Sequence, residues 1–366
     1  MAKWKSSLEK MRIQDFYKNK RILITGNTGF KGSWLSLWLS DLGANVLGYS
    51  IEKPVSKPNL YSVISLSEII NTYNGDIRDF PSLKQTIKVF QPEIIFHMAA
   101  QSLVISSYTN PIYTFETNVM GTVNLLEASK SSKVLRVIIN VTSDKCYEND
   151  EKGVGFNEND RLGGLDPYSS SKACSELVSK AYFNSFFLKT NIILANVRAG
   201  NVIGGGDWAK NRLIPDIYES LNAKKKIILR NPNALRPWQH VLEPLSGYLK
   251  LAKILFERGN FESGNNWNFG PNDSDIKSVE DVIKMFQKLN SKISFEIKNE
   301  SYYESKILKL DISKARKELE WTPIWNLKET IQKTNDWYEN HYSSLNQLDL
   351  TLKQIKEYSK NQFSEK

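Results

Sequence analysis

The chain has 366 residues and a net charge of +9, from 49 Lys and Arg against 40 Asp and Glu. No dense basic run with interleaved aromatics accompanies that charge, which argues against a nucleic-acid partner and for a phosphate-bearing small substrate. No stretch of about 18 apolar residues offers a membrane span, and no apolar signal core follows Met1-Ala2-Lys3-Trp4-Lys5. Two cysteines, Cys146 and Cys174, make no disulfide framework, and His97, His240 and His341 are too scattered for a metal site. The expectation is a cytoplasmic protein without a metal, its polar N- and C-terminal segments partly mobile.

Arg21-Ile22-Leu23-Ile24-Thr25 reads as the first buried strand. Gly26-Asn27-Thr28-Gly29-Phe30-Lys31-Gly32 follows at once, then a helix with Trp34, Leu35, Leu37, Trp38, Leu39 and Leu42 facing inward, stopped by Gly43. In this strand, turn and helix, Gly26 and Gly29 let the backbone approach a pyrophosphate, and Gly32 lets the helix pack on the strand. A second strand spans 45–50. Its end carries Tyr49, Ser50 and Ile51, with Glu52 and Lys53 beyond, where a ribose-binding acid is usual. Gly75-Asp76-Ile77-Arg78-Asp79 ends a third strand. Asp76 there suits either an adenine amine or the N-cap of the helix after Phe80.

A fourth strand, 93–98, runs into Ala99-Ala100-Gln101, small residues that suit a close dinucleotide backbone. A helix over 112–131 carries Asn118 and Gly121, and strands over 137–141 and 192–198 complete six. This alternation predicts an α/β fold with a Rossmann-like, doubly wound parallel sheet. Thr142, Ser143, Asp144 and Lys145 sit at the carboxyl end of the fifth strand, where such sheets bind ligands. Tyr168 and Lys172, four apart, share one face of the next helix. A free phenol, with a pKa of about 10, is a poor base near neutrality. A neighbouring ammonium and an oxidised nicotinamide favour the phenolate, which suits proton transfer coupled to hydride transfer. The bland reading is a tyrosine and a lysine on an amphipathic helix.

From Ala199 the texture changes. Gly200 to Trp208 is a turn-rich loop, and Arg212, Arg230 and Arg236 follow with Trp238. Those arginines suit phosphate and base recognition, or simply a solvated surface. Helices over 279–289, 314–319 and 327–338 predict a smaller C-terminal α/β lobe. The division is 1–199 for the dinucleotide and 200–366 mainly for the substrate, interleaved, with part of 237–260 returning to the first domain.

These stretches, with Thr117-Asn118-Val119-Met120-Gly121-Thr122, Arg236-Pro237-Trp238-Gln239-His240-Val241 and Trp267-Asn268-Phe269-Gly270-Pro271, resemble the extended short-chain dehydrogenase/reductase family from about Lys20 to Trp337. The resemblance is specifically to its sugar-nucleotide 4,6-dehydratases. It implies NAD held by Gly26, Thr28, Gly29, Phe30, Gly32, Asp76, Ile77, Ala99, Ala100, Gln101, Asn118, Tyr168, Lys172 and Arg198. It also implies a nucleotide sugar held by Asn201, Trp208, Arg212, Arg236 and Asn268, with Ser143 or Thr142 on the 4-oxygen. Tyr168 would take the 4-hydroxyl proton, Asp144 would be the acid for departing hydroxide, and Lys145 would be the C5 base if neutral.

Asp144-Lys145 replaces the Asp-Glu pair of dTDP-glucose enzymes and is similar to the subgroup acting on CDP-glucose. Ser102 and Ile105 stand where the pattern has Pro and Arg. A homodimer through the helices near 112–131 and 168–184 is implied, as is a deoxysugar product destined for lipopolysaccharide O-antigen. An epimerase needs Tyr168 and Lys172 but no acid–base pair at 144 and 145. A non-catalytic dinucleotide sensor would be expected to have lost Tyr168, Lys172 or Asp144, and all are present.

Overall fold

The computed structural model describes residues 12–51, 56–149, 153–262, 264–298, 307–342 and 346–363. Glu52 and Lys53 lie outside them. Seven strands form the central sheet among the described residues: β1 Arg21–Thr25, β2 Asn45–Ser50, β3 Asn71–Asn74, β4 Ile94–His97, β5 Val137–Val141, β6 Ile193–Ala199 and β7 Asn266–Phe269. Their order is β7-β6-β5-β4-β1-β2-β3, and every pairing is parallel. Helices cover both faces, so β4 and β5 are buried at every position. The order reverses between β1 and β4, and the carboxyl ends of the strands there open a crevice for ligands.

The sheet has one strand more than the sequence reading supplied. After the loop at 200–212 the chain builds the lobe helix Leu213–Ala223, then returns through the helix Leu242–Arg258 to add β7 beside β6. The C-terminal lobe holds two small pairings, Ile227–Leu229 with Phe295–Ile297 and Leu235–Pro237 with Ile276–Ser278. Around them pack the helices Val279–Leu289, Ser313–Glu318 and Leu327–Tyr342.

The described part of the C-terminal segment is folded onto the rest of the chain. Gln347–Gln362 is a helix capped by the Asn346 side chain. Its Tyr358 ring meets Trp38 at 5.9 Å and Trp325 at 5.0 Å. That helix packs on Phe30–Asp41 through Trp38, and Ser33, Trp34, Ser36 and Trp38 of the latter are all buried. The helix expected over 112–131 is interrupted. It runs Pro111–Phe115, widens to a π turn at Glu116–Met120, and resumes at Gly121–Ser129.

Candidate active site

One cavity of about 880 Å³ follows the carboxyl edge of the sheet from the glycine turn, past Tyr168, into the C-terminal lobe. At its first end Gly26 holds φ at +75°, and a Cβ there would sit 2.7 Å from the Ala99 nitrogen. A Cβ on Gly32 would come within 2.2 Å of the Gly26 carbonyl oxygen. Only glycine permits that close approach. The turn feeds the amino end of the helix Phe30–Asp41, whose first N–H groups point at any phosphate bound there. Gly26, Thr28, Gly29, Phe30, Gly32, Asp76, Ile77, Ala99, Ala100 and Gln101 all line this end. It is a cradle whose size and donors fit a dinucleotide.

Two local contacts shape this end. Asp76 does not cap the helix Phe80–Phe90. Asp79 does, accepting from the Ser82 N–H, while Arg78 holds the Asp76 carboxylate at 2.7 Å and lowers its pKa. At the end of β2 the Ser50 hydroxyl accepts from the Thr28 N–H at 3.3 Å, which ties that strand end to the turn.

In the middle of the cavity lies the polar cluster. Asp166 caps the helix Pro167–Tyr182, accepting from the Ser169 N–H at 3.0 Å with Pro167 at the first position. That helix aims Tyr168 and Lys172 into the cavity. The Lys172 ammonium donates to the Val141 carbonyl oxygen at 3.1 Å, at the carboxyl end of β5. Burial pulls its pKa down to about 8, with Cys146 and Glu176 opposing.

Burial pushes the Tyr168 phenol up to about 12, against its hydrogen bond with Ser143 and the charge of Arg212. Burial thus shifts Tyr168 opposite to the expectation from its lysine neighbour, because desolvation outweighs the charge of Arg212. The Ser143 hydroxyl donates in turn to Asp144 Oδ1 at 3.0 Å. Asp144 is buried, its pKa is raised by burial against Lys145, Ser143, Arg236 and Lys31, and its Oδ2 has no hydrogen-bond partner among the described residues. A raised carboxyl with an unspent oxygen is suited to delivering a proton.

Lys145 lines the same space, and so does Lys31, which the sequence reading treated only as part of the glycine motif. Burial lowers the Lys31 pKa to about 8, with Arg212 and Lys172 adding to the shift and Asp144 opposing it. Its position in the turn, one residue before Gly32, was the available signal. Arg212, Arg236 and Asn201 line the cavity too. Arg212 pairs with Asp207 at 2.8 Å and reaches Ser102 Oγ at 3.4 Å, bringing a guanidinium beside the segment that lacks the expected arginine.

Five expected site residues serve the walls instead. Arg198 is buried against Glu176, which also accepts from Thr142 Oγ1 at 2.6 Å, and its guanidinium stacks on Tyr147 at 4.6 Å. It does not reach the cavity. Thr142 lines the cavity, and its hydroxyl donates to Glu176 as that of Ser143 donates to Asp144. Asn118 clamps the Gln101 backbone, accepting from its N–H at 2.8 Å and donating to its carbonyl at 3.0 Å. Asn268 accepts from the Tyr147 hydroxyl at 2.8 Å and donates to Phe156 and Asp311 carbonyls. Trp208 packs on Trp337, Tyr338 and His341. Among the described residues no group of His, Cys, Asp and Glu is placed to hold a metal, and no helix is long and apolar enough to cross a membrane.

Residues 23–334 match the family model described as GDP-mannose 4,6 dehydratase. A CDP-glucose 4,6-dehydratase of Salmonella typhimurium is 48% identical over 94% of this chain and 98% of its own length. A CDP-paratose 2-epimerase of Salmonella typhi is 26% identical over 87% of this chain and 98% of its own. Among solved structures, a dTDP-glucose 4,6-dehydratase from Bacillus anthracis in complex with NAD superposes with a TM-score of 0.72 at 24% identity, covering 88% of this chain and 97% of that one. A UDP-glucose 4-epimerase from Thermotoga maritima gives 0.76 at 20% identity, covering 88% and 99%. The last two likenesses bear on the fold.

Proposed function

This chain belongs to the GDP-mannose 4,6-dehydratase family, and on that footing we propose that it is an NAD-dependent sugar-nucleotide 4,6-dehydratase acting on CDP-glucose. The observation that carries the reaction type is the gathering of Tyr168, Ser143, the buried Asp144 and Lys145 on one cavity, with the Ser143 hydroxyl donating to Asp144. A 4-epimerase uses the tyrosine and has no need of the buried acid. NAD, when bound in the glycine cradle, supplies the acceptor for the C4 hydrogen and its later return to C6.

The chain's own residues handle the protons. Tyr168 takes the proton of the 4-hydroxyl, and Ser143 holds the resulting 4-keto oxygen. The ketone acidifies C5–H, and Lys145, which lines the same space, is the base in this scheme. Asp144 gives its proton to the hydroxide leaving C6, which departs as water. Return of hydrogen to C6 and of a proton to C5 yields CDP-4-keto-6-deoxyglucose. Lys172 anchors the nicotinamide ribose, and Arg212, Arg236 and Asn201 hold the pyrophosphate.

This reading extends to a cytoplasmic homodimer and to a product used for surface-polysaccharide deoxysugars. Supporting the dimer, Ile112, Met120, Leu177 and Leu188 are exposed along the helix pair that carries Asn118 and Tyr168. The test is incubation of the purified protein with CDP-glucose, dTDP-glucose, GDP-mannose and UDP-GlcNAc separately, reading the alkali-induced absorbance of a 4-keto-6-deoxy product. Product from CDP-glucose, abolished in Tyr168→Phe, is expected. Product only from another nucleotide would overturn the substrate, and product from none would overturn the reaction.

A further inference from the structure

We propose that Asp216 reads the nucleobase, accepting a hydrogen bond from the exocyclic amine of cytosine. The inference rests on the reading above for the direction in which the substrate lies. The cavity has a cofactor end at the glycine turn and a reacting centre at Tyr168 and Asp144. A nucleotide sugar with its hexose at that centre must send its base toward the remaining end, which lies in the C-terminal lobe. There the walls are the first turn of the helix Leu213–Ala223 and the strand Ile227–Leu229 with Arg230 and Asn231 after it. Leu213, Ile227 and Leu229 offer flat apolar contact for a ring.

Asp216 is the acid of that helix turn and lines the cavity half-buried. The charge of Arg230 opposes the effect of burial on its carboxylate, while Glu219 and Asp207 add to it. Burial lifts its pKa to about 6, so it remains chiefly an anion at neutral pH. A carboxylate has roughly four acceptor positions, which gives room for a ligand donor. Cytosine carries an amine at C4, whereas uracil and thymine carry a carbonyl there. An acidic side chain facing that edge favours the amine and repels the carbonyl. Arg230, which donates to Asn211 Oδ1 at 3.2 Å, lines the same wall. Asp216 therefore presents an acceptor to the edge where cytosine carries a donor.

The experiment is titration of the full chain with CDP and with UDP, for the wild type, Asp216→Asn and Asp216→Leu, with thermal unfolding as a control on folding. The wild type is expected to prefer CDP by about tenfold or more. Asp216→Asn, whose amide both donates and accepts, should lose most of that preference. Asp216→Leu should bind both nucleotides weakly and alike. An unchanged CDP-to-UDP ratio in either folded variant would overturn the role of Asp216 while leaving the CDP-glucose reading intact. A wild type without preference for CDP would overturn that reading and this inference together.

Discussion

Tyr168 and Asp144 are both harder to ionise than their free counterparts, burial being the first cause for each, yet the proposed scheme asks opposite things of them. A raised carboxyl is already suited to giving a proton, whereas a raised phenol becomes a base only when bound positive charge offsets its desolvation. Replacing Asp144 by Asn should therefore leave the C5 hydrogen exchanging with D2O while product formation falls roughly 10²- to 10⁴-fold. Equal loss of exchange and product would place Asp144 elsewhere in the scheme. Arg198 sits at the other extreme, a charge spent on structure. Arg198→Met leaves Glu176 buried and unpaired, which should destabilise the fold by roughly 3–5 kcal/mol. In a thermal melt the midpoint should drop, while KM at low temperature stays close to wild type. A selective rise in the KM for NAD would mark Arg198 as a cofactor contact after all. Residue type was legible for both sites, but facing was not. Arg198 lies in a strand buried at every position, where alternation gives no cue to which wall a side chain joins.

Elements with a strong period were legible: the glycine turn between a β-branched strand and a Trp- and Leu-rich helix admits few other readings, and 279–289 was bounded correctly. β7 escaped because Asn266-Trp267-Asn268-Phe269 alternates asparagine with aromatics, and asparagine is depleted in strands. The π turn at 116–120 left no mark on the apolar period. The helix Gln347–Gln362 is polar along most of its length, and the few buried contacts that hold it are distant in sequence. Chief among them is Glu243, which accepts from the Trp325 N–H at 2.7 Å, from the Ile324 N–H at 3.2 Å and from the Tyr358 hydroxyl. Burial raises its pKa to about 7, with those donors opposing and Glu329 adding to the rise. Unfolded, a glutamate titrates near about 4.3. The folded state thus binds the extra proton between those values. Its stabilising share is full below the lower value and is lost as pH rises through the higher one. The difference is on the order of 3 kcal/mol. Melting of the wild type from about pH 4.5 to 8 should show this decline, and Glu243→Gln should flatten it. The same slope in both proteins would move the titration to another group.

At the scale of the molecule, the reacting helix has two duties. One face of Pro167–Tyr182 carries Tyr168 and Lys172 into the cavity, and the other leaves Leu177, at 54% exposure, outside. Across from it Ile112 is 72% exposed on the helix pair that clamps Gln101 through Asn118. Apolar side chains gathered on two neighbouring helices are costly in water and are covered cheaply by a second copy of the same surface. If they are covered so, the positions of Tyr168 and Asn118 are stiffened by the partner although neither residue touches it. The wild type should then sediment as a dimer, with a melting midpoint that rises with protein concentration. Leu177→Glu should sediment as a monomer, melt independently of concentration, and turn over more slowly because the catalytic helix has lost its backing. A wild type that is monomeric at every concentration would end this account. A monomeric variant with full activity would keep the dimer and remove its link to the active site.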